Sequence, residues 1–205
     1  MSDDALSASS AHAAEPAHAC AARTSHWLTL ARDPACFDTI LFARLIAARE
    51  VRGEESLLGL SAAQWRGLVS RHFTHEPAAM PSVESVAIGL NTEQHLEFVA
   101  KLRELMLQYA NPAVPLDDAQ CLASIITHAC LRPDHLWRDL GLSGRDDVSA
   151  MLDRYFPTLA ALNVTNLRWK RFLAQQLALS LGQTPGPAPG CPGCEDFGFC
   201  FPPGA

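Results

Sequence analysis

Three cysteines stand close together near the end of the chain, Cys191, Cys194 and Cys200 in the run CPGCEDFGFC. Their spacing, CxxCxxxxxC, lets one short loop wrap its sulfurs around a single centre. Pro192 and Gly193 favour a tight turn between the first two, which draws the thiolates together and aims backbone N–H groups at the anion they enclose. Three chemistries use thiols placed this way. Zinc asks for four tetrahedral ligands, and the local sequence adds only Glu195 and Asp196 as oxygen donors, so that demand is met incompletely. A cuboidal iron–sulfur cluster is also thiolate-held; three cysteines serve three of its metal corners and leave the fourth to another residue. A dithiol redox couple usually sits at a helix N-terminus beside a strand–helix unit, and no such context surrounds this pair.

Other residues with chemical potential are weaker candidates. Cys130 and His135 bracket a helix break in HACLRPDHLWRDLGL, where a kink would expose both to one pocket, although each residue type more often fills a structural role. Cys36, Cys121 and His128 fall on helix faces dense in apolar side chains and read as core. Arg168, Lys170 and Arg171 alternate with Leu167, Trp169 and Phe172, the pattern of an amphipathic helix with a solvated basic face. No Ser/His/Asp grouping, phosphate loop or carboxylate pair has a spacing that specifies catalysis, so the chain is not expected to be an enzyme.

The elements that must position these residues are helical. The chain has 205 residues, enough for one domain with a single sizeable core, and a formal net charge of -6 that argues against nucleic-acid or anionic-membrane partners. It shows no targeting segment and no apolar run of membrane-spanning length, which predicts a cytoplasmic protein, and in a reducing cytosol clustered cysteines are ligands or redox groups rather than disulfides. Residues 1–25 are dominated by Ala, Ser and His and are expected to form a disordered arm. Residues 26–182 show helical periodicity almost throughout and predict an all-α, bundle-like domain. Asp33 and Pro34 read as the start of one helix, Ser61 and Gln64 as a capping box, and Thr92 as the start of a long amphipathic helix. Asp117 and Asp118 suit the positive end of the next, whose buried stripe is Leu122, Ile125, Ile126 and Ala129. A last helix is predicted from about Asn166 to Ser180. Residues 183–205, opened by GQTPGPAPG, form a breaker-rich linker and an irregular cysteine-bearing tail.

The run ACLRPDHLWRDLGLSGRDDVSAMLDRYFPTLAALNVTNLRWKRF, residues 129–172, followed by the terminal cysteines, resembles the nitrogen fixation protein family NifQ. HLWRDLGL, FPTLAALN and RWKRF stand in the family's order and spacing, and LLGLSAAQWRGLVSRHF is similar upstream. The resemblance implies a non-enzymatic carrier that holds molybdenum in an iron–sulfur environment and donates it to iron–molybdenum cofactor assembly. Its implied partners are the dinitrogenase reductase and the cofactor scaffold. Cys191, Cys194 and Cys200 match the last three positions of the family's CxxxxCxxCxxxxxC motif, while the first falls on Gly186. A Leu-Cys pair found in many members is Leu177 and Ala178 here. The candidate additional ligands are His135, Cys130, Asp196 and Glu195. The alternative is a zinc-stabilised helical interaction module.

Overall fold

The computed structural model describes residues 4–54, 58–74 and 93–202, with side chains from 17 onward except at 93. Helix α1 (Asp4–Thr29) lies on α2 (Phe37–Arg52); α3 (Ala62–His72) and α4 (Glu93–Gln108) flank α5 (Leu116–Ala129). After α5 come α6 (Leu136–Asp139), α7 (Arg145–Tyr155), α8 (Pro157–Ala160) and α9 (Trp169–Ser180), the last packing on α4. No strand occurs among the described residues; a lone antiparallel bridge joins Ala31 to Phe73. The fold is all-α.

Local signals account for most of these boundaries. Ser61 and Gln64 close a capping box: the Gln64 N–H donates to Ser61 Oγ at 3.2 Å and the Ser61 N–H to Gln64 Oε1 at 3.0 Å, satisfying two donors that the helix itself leaves unpaired. α2 ends where Gly53 turns left-handed, φ 64°, and returns its N–H to the carbonyls of Arg49 and Glu50. α5 is buried along nearly its whole length, with Leu122, Ile125, Ile126 and Ala129 in the core, and packs against α3, α4 and α6.

Several expectations shift. The proposed opener of α4, Thr92, lies outside the described residues. Cys36, not Asp33, precedes α2, because Asp33 Oδ1 accepts the Ala35 N–H and holds a turn there first. Cys36 is therefore a half-buried cap and not a core residue. α9 starts at Trp169 and not at Asn166, whose backbone is left-handed at φ 55°; Arg145 Nη2 holds that loop by donating to the carbonyls of Asn166 and Leu167. The last turns of α1 belong to the body. Arg23 donates twice to Glu50, at 2.6 and 2.8 Å, and Trp27 Nε1 donates to the same carboxylate while its ring is buried against Trp65 and Phe73. The alanines that supply little burial are strong helix formers, and this carboxylate anchors the turns they build.

Candidate metal centre

The cysteine tail is seated on the body. Ala188 is buried against the core, and the Gly190 N–H donates to the Cys130 carbonyl at 3.0 Å. A Cβ at Gly190 would lie 1.9 Å from the Arg132 carbonyl oxygen, and one at Gly193 would lie 2.4 Å from Pro133 Cβ. Only backbone without side chains can approach the 130–133 turn this closely. The tail then closes a 3₁₀ turn (Cys191–Gly193) and a short helix α10 (Phe197–Cys200), in which the Cys194 N–H returns to Cys191 O and the Cys200 N–H to Asp196 O.

Those two turns, the start of α6 and the start of α9 enclose one cavity, and Cys191, Cys194 and Cys200 all line it. All three thiols are free; Cys191 and Cys200 are buried and Cys194 is half-buried. Burial pushes the Cys191 and Cys200 thiols above their usual range; Lys170 opposes this at Cys191, and Arg171 with Arg168 oppose it at Cys200. His135 also lines the cavity, its ring stacked on Trp137 at 6.3 Å. His135 Nε2 lies 3.4 Å from both Glu195 Oε1 and Asp196 Oδ2. Those carboxylates have stronger partners: Arg138 at 3.2 Å from Glu195 and Arg168 at 2.7 Å from Asp196. Asp196 is on the cavity wall and Glu195 is not. Cys130 sits fully buried off the wall, where burial pushes its thiol up to about 12. Among the described residues no three Cys, His, Asp or Glu side chains converge on a point that a single ion would occupy. A tetrahedral one-ion site needs that convergence, whereas a multi-iron cluster takes one thiolate per metal and lets the sulfurs stand apart around a shared cavity.

The NifQ family model matches residues 38–202, every residue of this cavity included. The chain belongs to the NifQ family. It is 37% identical to the NifQ homolog of Sinorhizobium fredii over 172 residues, which is 80% of this chain and 72% of that one. It is 45% identical to NifQ of Azotobacter vinelandii over 80 residues, 39% of this chain and 41% of that one. NifQ of Rhodobacter capsulatus is 32% identical over 146 residues, 71% of this chain and 76% of that one. No solved structure matches the chain.

In this NifQ-family chain, Gly186 and Ala178 line one groove between α4 and α9, and Gly186 shares a second with Arg171, Gln175 and Cys200. Nothing lies within 4 Å of a Cβ placed at Gly186, so the position is open toward the groove that holds Cys200.

Of the three cations expected on a solvated face at the start of α9, Arg168 is exposed but Lys170 is not. Lys170 is 5% exposed, with Nζ donating to Asp139 Oδ2 and, at 2.8 Å, to the Arg132 carbonyl. Arg132 closes the same network, Nε to Asp139 at 3.0 Å and Nη1 to Glu54 at 2.9 Å. Glu54 also accepts from Arg49, whose deeply buried guanidinium is pulled down to about 10 by that burial. Lys170 thus braces the very turn on which Gly190 sits. A sequence signal for its inward direction exists: Lys170 heads the i, i+3, i+4, i+7 stripe completed by Leu173, Ala174 and Leu177, all buried.

Proposed function

We propose that this protein is a carrier of molybdenum within an iron–sulfur cluster, which it donates to iron–molybdenum cofactor assembly in nitrogen fixation, acting by delivery and not by turnover. The single observation that carries the reading is that Cys191, Cys194 and Cys200, and no other thiols among the described residues, line one cavity. Each would hold one iron, and the cluster is cargo. The cations beside the thiols favour their ionised form and offset the negative charge that thiolates and sulfides bring.

Release needs one weakly held corner. Among the candidate ligands His135 is best placed, since its imidazole already lines the cavity and contacts the carboxylates at longer range than the arginines do. Asp196 and Glu195 would first have to leave Arg168 and Arg138, and Cys130 would have to leave the core and lose its proton. By family resemblance the recipients are the dinitrogenase reductase and the cofactor scaffold, in the cytoplasm; no helix among the described residues is long and apolar enough to cross a membrane.

Anaerobic purification followed by iron, molybdenum and zinc analysis, with a visible spectrum, tests this. Iron with molybdenum and broad sulfide-to-iron absorption is the expected result. A colourless protein holding zinc alone overturns it in favour of the interaction module.

A further inference from the structure

Cys200 is bracketed by two aromatic rings, and each ring carries an arginine. The Arg168 guanidinium lies 5.8 Å over Phe199, and that of Arg171 lies 5.1 Å over Phe201. Phe199 is 77% exposed, so its place under a cation is not a by-product of burial. The two arginines are three residues apart at the start of a twelve-residue helix, and thus share a face. That helix end has no acidic residue in its first turn and no side-chain cap, yet carries three cations where its own dipole is already positive. Lys170 is spent on Asp139, but the charge of the two arginines is not consumed to the same extent. Arg171 forms no ion pair among the described residues, Arg168 has Asp196 alone, and Arg145 on the same wall spends its donors on carbonyl and amide oxygens of Asn166 and Leu167. Asp134, the other acid on the wall, is taken by Arg138 at 3.0 Å. Trp169, nine-tenths buried on that wall, has an Nε1–H without an acceptor.

We propose that the mouth of this cavity is a subsite for a tetrahedral dianionic oxyanion, held by Arg168 and Arg171 next to Cys200. Planar guanidinium forks match such oxyanions with paired hydrogen bonds, and two forks on one helix face satisfy two edges of a tetrahedron. Asp196 occupies the place of the ion on Arg168 when none is bound. The choice of molybdate as the physiological oxyanion rests on the carrier reading; the subsite itself does not.

The test is calorimetric titration of sodium molybdate into the metal-free full-length chain under anaerobic conditions, with sodium sulfate as competitor. Saturable binding relieved by sulfate is expected. Arg168→Gln and Arg171→Gln should each weaken it by at least about tenfold, the loss of a charge-assisted bond. Arg171→Lys should lose less than Arg171→Gln, and Arg66→Gln, on the exposed side of α3, should change nothing. Asp196→Asn should tighten binding by removing the internal competitor, a gain that misfolding cannot produce. Absence of binding by the wild-type chain, wild-type affinity in both glutamine variants, or weakened binding in Asp196→Asn overturns the proposal. Molybdate binding by a chain that never takes up iron would support the subsite and remove the carrier reading. Full iron and molybdenum loading of the double glutamine variant, with no molybdate bound by the metal-free chain, would do the reverse.

Discussion

Replacing Asp139 by Ala should destabilise the protein and loosen the cysteine tail with it. Asp139 is 2% exposed and accepts from two cations, Lys170 through Oδ2 and Arg132 through Oδ1 at 3.0 Å. Removing one partner of a buried pair and leaving the other uncompensated costs about 3–5 kcal/mol. Here Arg132 retains Glu54 and reaches solvent, so the orphaned charge is chiefly that of Lys170, and the lower bound of about 3 kcal/mol applies. For a domain of this size that corresponds to a fall in melting temperature of roughly 6–12 °C, followed by far-UV circular dichroism. Asp139→Ala combined with Lys170→Met should recover part of the loss, because the double variant removes the orphaned ammonium. A fall under about 2 °C, or a double variant as unstable as the sum of the single ones, would refute the assignment of this pair as a coupled buried brace.

Three further outcomes are expected. Gly190→Ala places a Cβ at 1.9 Å from the Arg132 carbonyl oxygen, so the tail should leave its seat: iron retention after anaerobic desalting falls sharply while helical ellipticity stays near wild type. Gly186→Cys adds a thiol in open space on the groove that holds Cys200, and iron and molybdenum retention against a chelator should rise above wild type. Asp38 is buried, which by itself disfavours its charge, but the two hydrogen bonds from the Arg154 guanidinium outweigh this and hold its carboxyl below the usual range. The unfolded chain therefore takes up this proton at higher pH than the folded one, so the stabilisation is complete above about pH 4 and is lost as pH falls further. Asp38→Asn should flatten that acid limb in chemical unfolding measured from pH 6 to pH 3, and an unchanged limb would count against it.

The helical layers are legible in the sequence because their signals are local. The Ser61 and Gln64 box and the Leu122, Ile125, Ile126 stripe each declare an element without reference to the rest of the chain. The spacing of Cys191, Cys194 and Cys200 likewise marks three thiols that share a cavity, since a loop of that length can hardly separate them. What is not legible depends on long-range contact. Arg23 and Trp27 anchor the first helix only because Glu50 is there to receive them. Gly190 looks like one more linker glycine, and its role is apparent only from the Arg132 carbonyl it rests on. Lys170 lies on a stripe that turns inward, but the Asp139 that receives it, thirty-one residues earlier, declares itself only in the fold. Arg168 and Arg171 gain their meaning from Phe199 and Phe201, which meet them only when the tail folds back.

If the protein carries molybdenum within a cluster, sulfur and iron surround that metal in the loaded form. X-ray absorption at the molybdenum edge of the anaerobically isolated chain, compared with a Cys191→Ala, Cys194→Ala, Cys200→Ala triple variant, measures it directly. Sulfur and iron neighbours around molybdenum in the wild type, absent with the metal from the triple variant, are the predicted result. Molybdenum surrounded by oxygen alone, or a sulfur-and-iron environment that survives loss of all three cysteines, would contradict the account.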